Sequence, residues 1–225
     1  MSFLRAVIVI MAKDLRIEAR QRTALLTTVT FAILVQLIFV FARPAGELAL
    51  SVIGPSVLWV MLTFSSIVVL NRGFLLEREH GALDGILLAP VSRVAFFWGK
   101  WLANTLLVLA VLAVAFPLWV LFFGLPVGMA LLGVLGTVVL ALAGFTAAGT
   151  LFSAMTARTR YAELLLPVLL LPFLIPPLFA GTSGSLRLLQ GRPFEEIAGW
   201  LRILVIYDVA FLALASLLFP HVVDE

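Results

Sequence analysis

"LANTLLVLAVLAVAFPLWVLFF", residues 102–123, carries no charged side chain from end to end. Wound as an α-helix rising about 1.5 Å per residue, it is about 33 Å long, close to the thickness of a bilayer's hydrocarbon core. A segment this long and this apolar reads as a membrane span. Outward from it, runs of similar character occupy 24–42, 52–70, 130–153, 164–180 and 201–219, and only the last holds a charge well inside it, Asp208. The 225 residues are 63% hydrophobic, with a mean hydropathy of +1.19, far from the roughly 45–50% apolar content of a soluble domain. A membrane β-barrel would need segments of about ten residues alternating in polarity, and none is present. The fold expected is an all-α integral membrane protein, a single transmembrane domain over 1–225 with six transmembrane helices.

Lys and Arg sort the loops. Eleven fall before span one, between spans two and three, and between spans four and five, against four on the other side. By the positive-inside rule both termini are expected in the cytoplasm, although the tail "HVVDE" adds no Lys or Arg of its own. The leader, 2–22, places Leu4, Val7, Ile8, Met11 and Leu15 on one helical stripe with Arg5, Lys13, Arg16 and Arg20 off it. It reads as an amphipathic interfacial helix or as a basic anchor that fixes topology. Its apolar part, 3–12, is too short to span and lacks a signal-peptide pattern, so it is expected to remain in the mature protein. No basic patch carries the interleaved aromatics of a nucleic-acid surface.

In span four, Gly133, Thr137, Ala141, Gly144 and Ala148 recur every three or four residues. Such a seam of small residues lets helices approach closely in lipid. Span five contains Pro167, Pro172, Pro176 and Pro177, which argues against a straight helix and makes it a candidate kinked or moving element. The glycine-punctuated segment 181–200 reads as an external interfacial segment leading into span six.

The largest polar insertion, 71–101, lies between spans two and three. Within it Ala82, Leu83, Ile86 and Leu87 share a helical face, and Pro90 stops the helix. Ser92 is placed to cap the next helix, with Trp98 and Trp101 at interface depth and Lys100 free to snorkel. A short two-faced helix of this kind can lie on lipid or dock on a soluble partner.

No G-x-x-x-x-G-K-[ST], H-E-x-x-H or G-x-S-x-G occurs, so neither nucleotide hydrolysis nor the zinc and serine hydrolase chemistries have their devices here. Absence of cysteine removes disulfides and thiolate metal sites. Asp208, beside Tyr207, is the intramembrane polar candidate, because a carboxylate at mid-bilayer costs about 2.5–3.5 kcal/mol and calls for a partner. From the start of the apolar run it is expected about 10 Å in from the outer edge.

The insertion "EREHGALDGILLAPVSRVAFFWGK" (77–100) is similar to the cytoplasmic loop of type-2 ABC exporter permeases, matching at Glu77, Glu79, Gly81, Ala82, Leu83, Asp84, Leu87, Leu88, Pro90, Ser92, Gly99 and Lys100. In that superfamily the loop is a coupling helix that docks on a separate ATPase chain. That basic leader, "LEREHGALDGILLAPVSR", the proline-rich "LLLPVLLLPFLIPPLF" and the ending "YDVAFLALASLLFP" more closely resemble the CcmB family, the membrane subunit of the haem exporter of cytochrome c maturation. The resemblance implies a non-enzymatic permease in a bacterial-type inner membrane, homodimeric within its complex. CcmA-like ATPases would bind the ATP, with CcmC-like and CcmD-like subunits alongside. It implies Glu77, Glu79, Gly81, Leu83, Asp84, Leu87 and Pro90 as the ATPase-coupling set, no cofactor held tightly by this chain, and haem as a candidate cargo. A permease for a lipid-linked sugar or drug, or a non-transporting scaffold, are the competing readings.

Overall fold

The computed structural model describes residues 2–42, 50–79, 91–157, 159 and 161–224. Over these the chain is helical: α1 (Phe3–Gln21), α2 (Thr23–Phe41), α3 (Leu50–Glu79), α4 (Arg93–Phe122), α5 (Met129–Thr156), α6 (Ala162–Leu189) and α7 (Phe194–Asp224). Six of them, α2 to α7, are long and apolar enough to cross a membrane. Helix is what an apolar run in lipid must adopt, since every backbone donor and acceptor has to be met within the segment.

α3 and α5 form the middle of the bundle. Trp59 and Leu62 of α3 and Leu142 and Phe145 of α5 are buried in one continuous core, and Trp59 meets Phe145 edge-to-face at 6.3 Å. α2 packs on α3 and α4 at one flank, and α6 and α7 close the other around α5. Along α5, Thr137, Ala141, Gly144 and Ala148 are buried. A side chain at Gly133 would run into Leu188 of α6, and one at Gly149 into Leu70 of α3.

Several boundaries differ from the sequence expectation. α3 runs on to Glu79 and α4 starts at Arg93, so both ends of the insertion are helical extensions of the spans. Ser92 holds the N-cap position of α4 without a side-chain cap bond. The coupling positions Gly81, Leu83, Asp84, Leu87 and Pro90 lie outside the described residues, and of Glu77 and Glu79 only the helical backbone is described.

Residues 181–200 are not a separate interfacial segment. α6 continues to Leu189 with all four prolines inside it, and α7 begins at Phe194. Two of the small residues that marked such a segment, Gly181 and Ser185, pack against α3. Gly181 leaves the space that the Trp59 indole occupies, and the indole N–H donates to Ser185 Oγ at 3.0 Å. The helix stops one step later, where Gly191 takes φ 66°. There the Gly191 and Arg192 amides turn back to the Leu188 and Arg187 carbonyls, the usual use of a left-handed glycine just past a helix end.

α1 also lies differently. It presents Ala6, Val7 and Ile10 to α4, while Leu4 and Ile8 of the anticipated stripe face outward. Gly99 of α4 decides this: a Cβ there would lie 2.7 Å from Ile10 Cβ and 3.0 Å from the Val7 carbonyl, so the contact exists only because the residue is glycine.

Candidate functional site

Lys100, Asn104 and Thr105 of α4 make polar contacts to α1, α3 and α5 at the end of the bundle where α1 lies. Lys100 is 1% exposed, which corrects the expectation that it snorkels out. Its ammonium sits 3.1 Å from Asp14 Oδ2 of α1 and donates to the Gly73 carbonyl of α3 at 2.9 Å. Lys13 pairs with the other oxygen of Asp14 at 3.0 Å. A charge this deep is tolerable only when paired and hydrogen-bonded, and the leader supplies the counter-charge.

One turn on, Asn104 donates to Thr150 Oγ1 of α5 at 3.0 Å, and the Thr105 and Thr146 hydroxyls are 2.7 Å apart. Between these layers the Trp101 indole donates to the Ala143 carbonyl of α5 at 2.9 Å. The N–H of that same peptide unit, on Gly144, donates to Asp208 Oδ1 of α7 at 2.9 Å. The Ala143–Gly144 peptide is therefore gripped by α4 through its oxygen and by α7 through its nitrogen.

Gly144 has to be glycine, because any side chain there would occupy the space of Asp208 and Tyr207. Asp208 stands about 21 Å along α7 from Phe194 at helical rise, mid-span and deeper than expected, because α7 starts seven residues before the apolar run. Its second oxygen and the Tyr207 hydroxyl have no hydrogen-bond partner among the described residues. Tyr207 stacks on Phe211 at 4.5 Å. The end of α7 returns to α4, where Phe219 packs between Phe96 and Phe97 at 5.7 and 5.4 Å.

Of the residues singled out from sequence, Gly144, Asp208 and Tyr207 come together at one point. Gly133, Ala141 and Ala148 line the rest of α5. Sequence reasoning passed over the Lys100–Asp14 pair, Asn104 with Thr150, and Gln36, which is buried in α2 and donates to the Ala115 carbonyl of α4 at 3.1 Å. A signal was available: Asp14 and Glu18 are acids one turn apart in a leader that is otherwise basic. Among the described residues no group of three His, Asp or Glu could hold a metal ion.

A helical bundle with six candidate membrane spans defines a multi-pass membrane protein. The family model for the CcmB protein matches residues 5–225, and the chain belongs to that family. It is 29% identical over 208 residues to heme exporter protein B of Rhodobacter capsulatus, covering 92% of this chain and 94% of the relative. The same identity holds over 196 residues to heme exporter protein B of Pseudomonas aeruginosa, covering 85% and 86%. It holds again over 178 residues to that of Paracoccus denitrificans, covering 79% and 81%.

Proposed function

We propose that this chain is the permease subunit of an ABC-type haem exporter serving cytochrome c maturation, and that it passes ATP-driven motion from a separate ATPase into its helices. The observation that carries the reading is the family match over residues 5–225, with relatives named heme exporter protein B aligned along most of their length.

The geometry supports a transmitting role. α3 and α4 both run into the insertion, so a force on residues 80–92 acts on two rigid helices at once. α4 passes it on through Lys100 to α1 and α3, through Asn104, Thr105 and Trp101 to α5, and from α5 through Gly144 to α7. In this reading the CcmA-like ATPase binds and hydrolyses ATP, and two copies of this chain sit with CcmC-like and CcmD-like subunits. The leader end faces the cytoplasm of a bacterial-type inner membrane, as the excess of Lys and Arg on that side supports. Haem is the cargo, and its ligands are assigned to a partner. His221 sits at the leader end with Nδ1 3.2 Å from the Leu217 carbonyl, far from an external delivery point.

Deletion of the gene, with complementation by the intact chain, tests the reading. Haem staining should show c-type cytochromes lost on deletion and restored with the chain. Cytochromes at wild-type level in the deletion strain would remove haem export from the proposal.

A further inference from the structure

The leader end also contains a cavity beside the transmission route, sharing Asp14, Gly73 and Asn104 with it. It lies between α1, α2, α3 and α4, with an interior of about 40 Å³, room for about three water molecules. Asp14, Glu18, Arg72 and Asn104 line it, with apolar walls that include Ala24 and Leu107.

Two of its polar side chains are deeply buried and only half satisfied. Glu18 is 5% exposed. One of its oxygens accepts the Leu25 N–H at 2.9 Å, and no hydrogen bond or ion pair among the described residues engages the other. Asn104 is 3% exposed; its amide donates to Thr150, while its oxygen receives no donor among the described residues. Lys13 and Lys100 both pair with Asp14, and Glu18 and Arg72 add one further charge of each sign at the cavity. Arg72, half-exposed at the same cavity, has no ion pair or hydrogen bond among the described residues.

Two half-satisfied acceptors on buried side chains, one of them charged, are matched by a cationic donor, and the guanidinium beside them is matched by an anion. Both are met by one zwitterion whose charges are a few ångströms apart. The depth also fits: the apolar span of α2 begins at Thr23, next to Ala24 of the cavity wall, so the cavity lies at the leader-end limit of that span, where lipid headgroups begin. Leu26, just beyond Ala24 on α2, is exposed and offers an apolar flank for an acyl chain.

We infer that this cavity receives the ammonium end of an aminophospholipid headgroup, with the lipid phosphate held by Arg72 at the rim. A primary ammonium brings three N–H donors to the Glu18 and Asn104 oxygens. Arg72 pairs with phosphate in the fork geometry that guanidinium suits. Choline carries no N–H to offer the two oxygens, and a glycerol headgroup brings no cation.

Native mass spectrometry of the detergent-solubilised full chain, offered equal amounts of 1-palmitoyl-2-oleoyl phosphatidylethanolamine, phosphatidylcholine and phosphatidylglycerol, tests this. One phosphatidylethanolamine per chain should be retained in preference to the others. On the unmodified protein, retention should fall stepwise as the amine is methylated once, twice and three times. Glu18→Gln keeps an oxygen for the Leu25 amide but replaces the free acceptor with NH2. It and Arg72→Gln should each lower retention by at least about tenfold, the effect of losing one charge-assisted bond. Equal retention across the methylation series overturns the proposal, as does unchanged retention in Glu18→Gln. Displacement of the lipid by an equal concentration of soluble phosphoethanolamine overturns the assignment to a lipid.

Discussion

Lys100 is the residue on which most of the leader end depends. Removing one member of a buried ion pair strands the other charge, at a cost of about 3–5 kcal/mol, whereas replacing both with apolar groups is often close to neutral. Lys100→Met and Asp14→Leu should therefore each lower the midpoint of denaturant-induced unfolding in detergent strongly, and the double variant should recover most of the loss. The coupling from the double-mutant cycle should reach about 2–3 kcal/mol; additive single effects would show that the pair is not a unit. Sequence alone could not reveal this pairing. Lys100 stands where a snorkelling lysine ordinarily stands, and only the glycine beside it, which admits α1, turns the side chain inward.

Among the elements, α4 connects the most neighbours, and its existence was plain in the sequence because 102–123 is charge-free. Its true start at Arg93 was hidden, since Arg93 and Lys100 look like loop residues until their partners are known. The same blindness shortened α6: its glycines read as the start of an interfacial segment, yet Gly181 and Ser185 are the small residues that accept Trp59. If α3 and α4 receive force from residues 80–92, charge reversal at Glu79 together with Asp84→Lys should abolish co-purification of the ATPase subunit while leaving the chain in the membrane fraction. Undiminished co-purification and ATPase activity would mean that the partner docks elsewhere.

At the scale of the whole molecule, α4 and α7 touch directly at Phe219 and are also joined across α5 through one peptide unit. That route separates two substitutions that a packing argument would treat alike. Asp208→Asn retains an acceptor for the Gly144 amide, whereas Gly144→Ala thrusts a methyl group into Asp208 and Tyr207 and forces α7 away. Substrate-linked ATPase activity of the reconstituted complex should fall at least about tenfold for Gly144→Ala and considerably less for Asp208→Asn, as expected when one hydrogen bond is weakened and not removed. Equal losses would place the carboxylate's charge, not its grip on the peptide, at the centre of the coupling. The seam of small residues was legible as a seam. Its one position with a polar tenant was not, because nothing in the spacing distinguishes Gly144 from Gly133.

The pairing of Asp14 with Lys100 also sets an order of events during synthesis. Asp14 leaves the ribosome long before Lys100; at about 5–20 residues per second the wait is on the order of ten seconds. Through that interval α1 lacks its α4 docking surface, because the Gly99 notch and the buried ammonium do not yet exist. Until α4 enters the membrane, the leader of the nascent chain stays undocked, and α4 can bury its lysine only by collecting it. The first helix made is thus among the last to be placed.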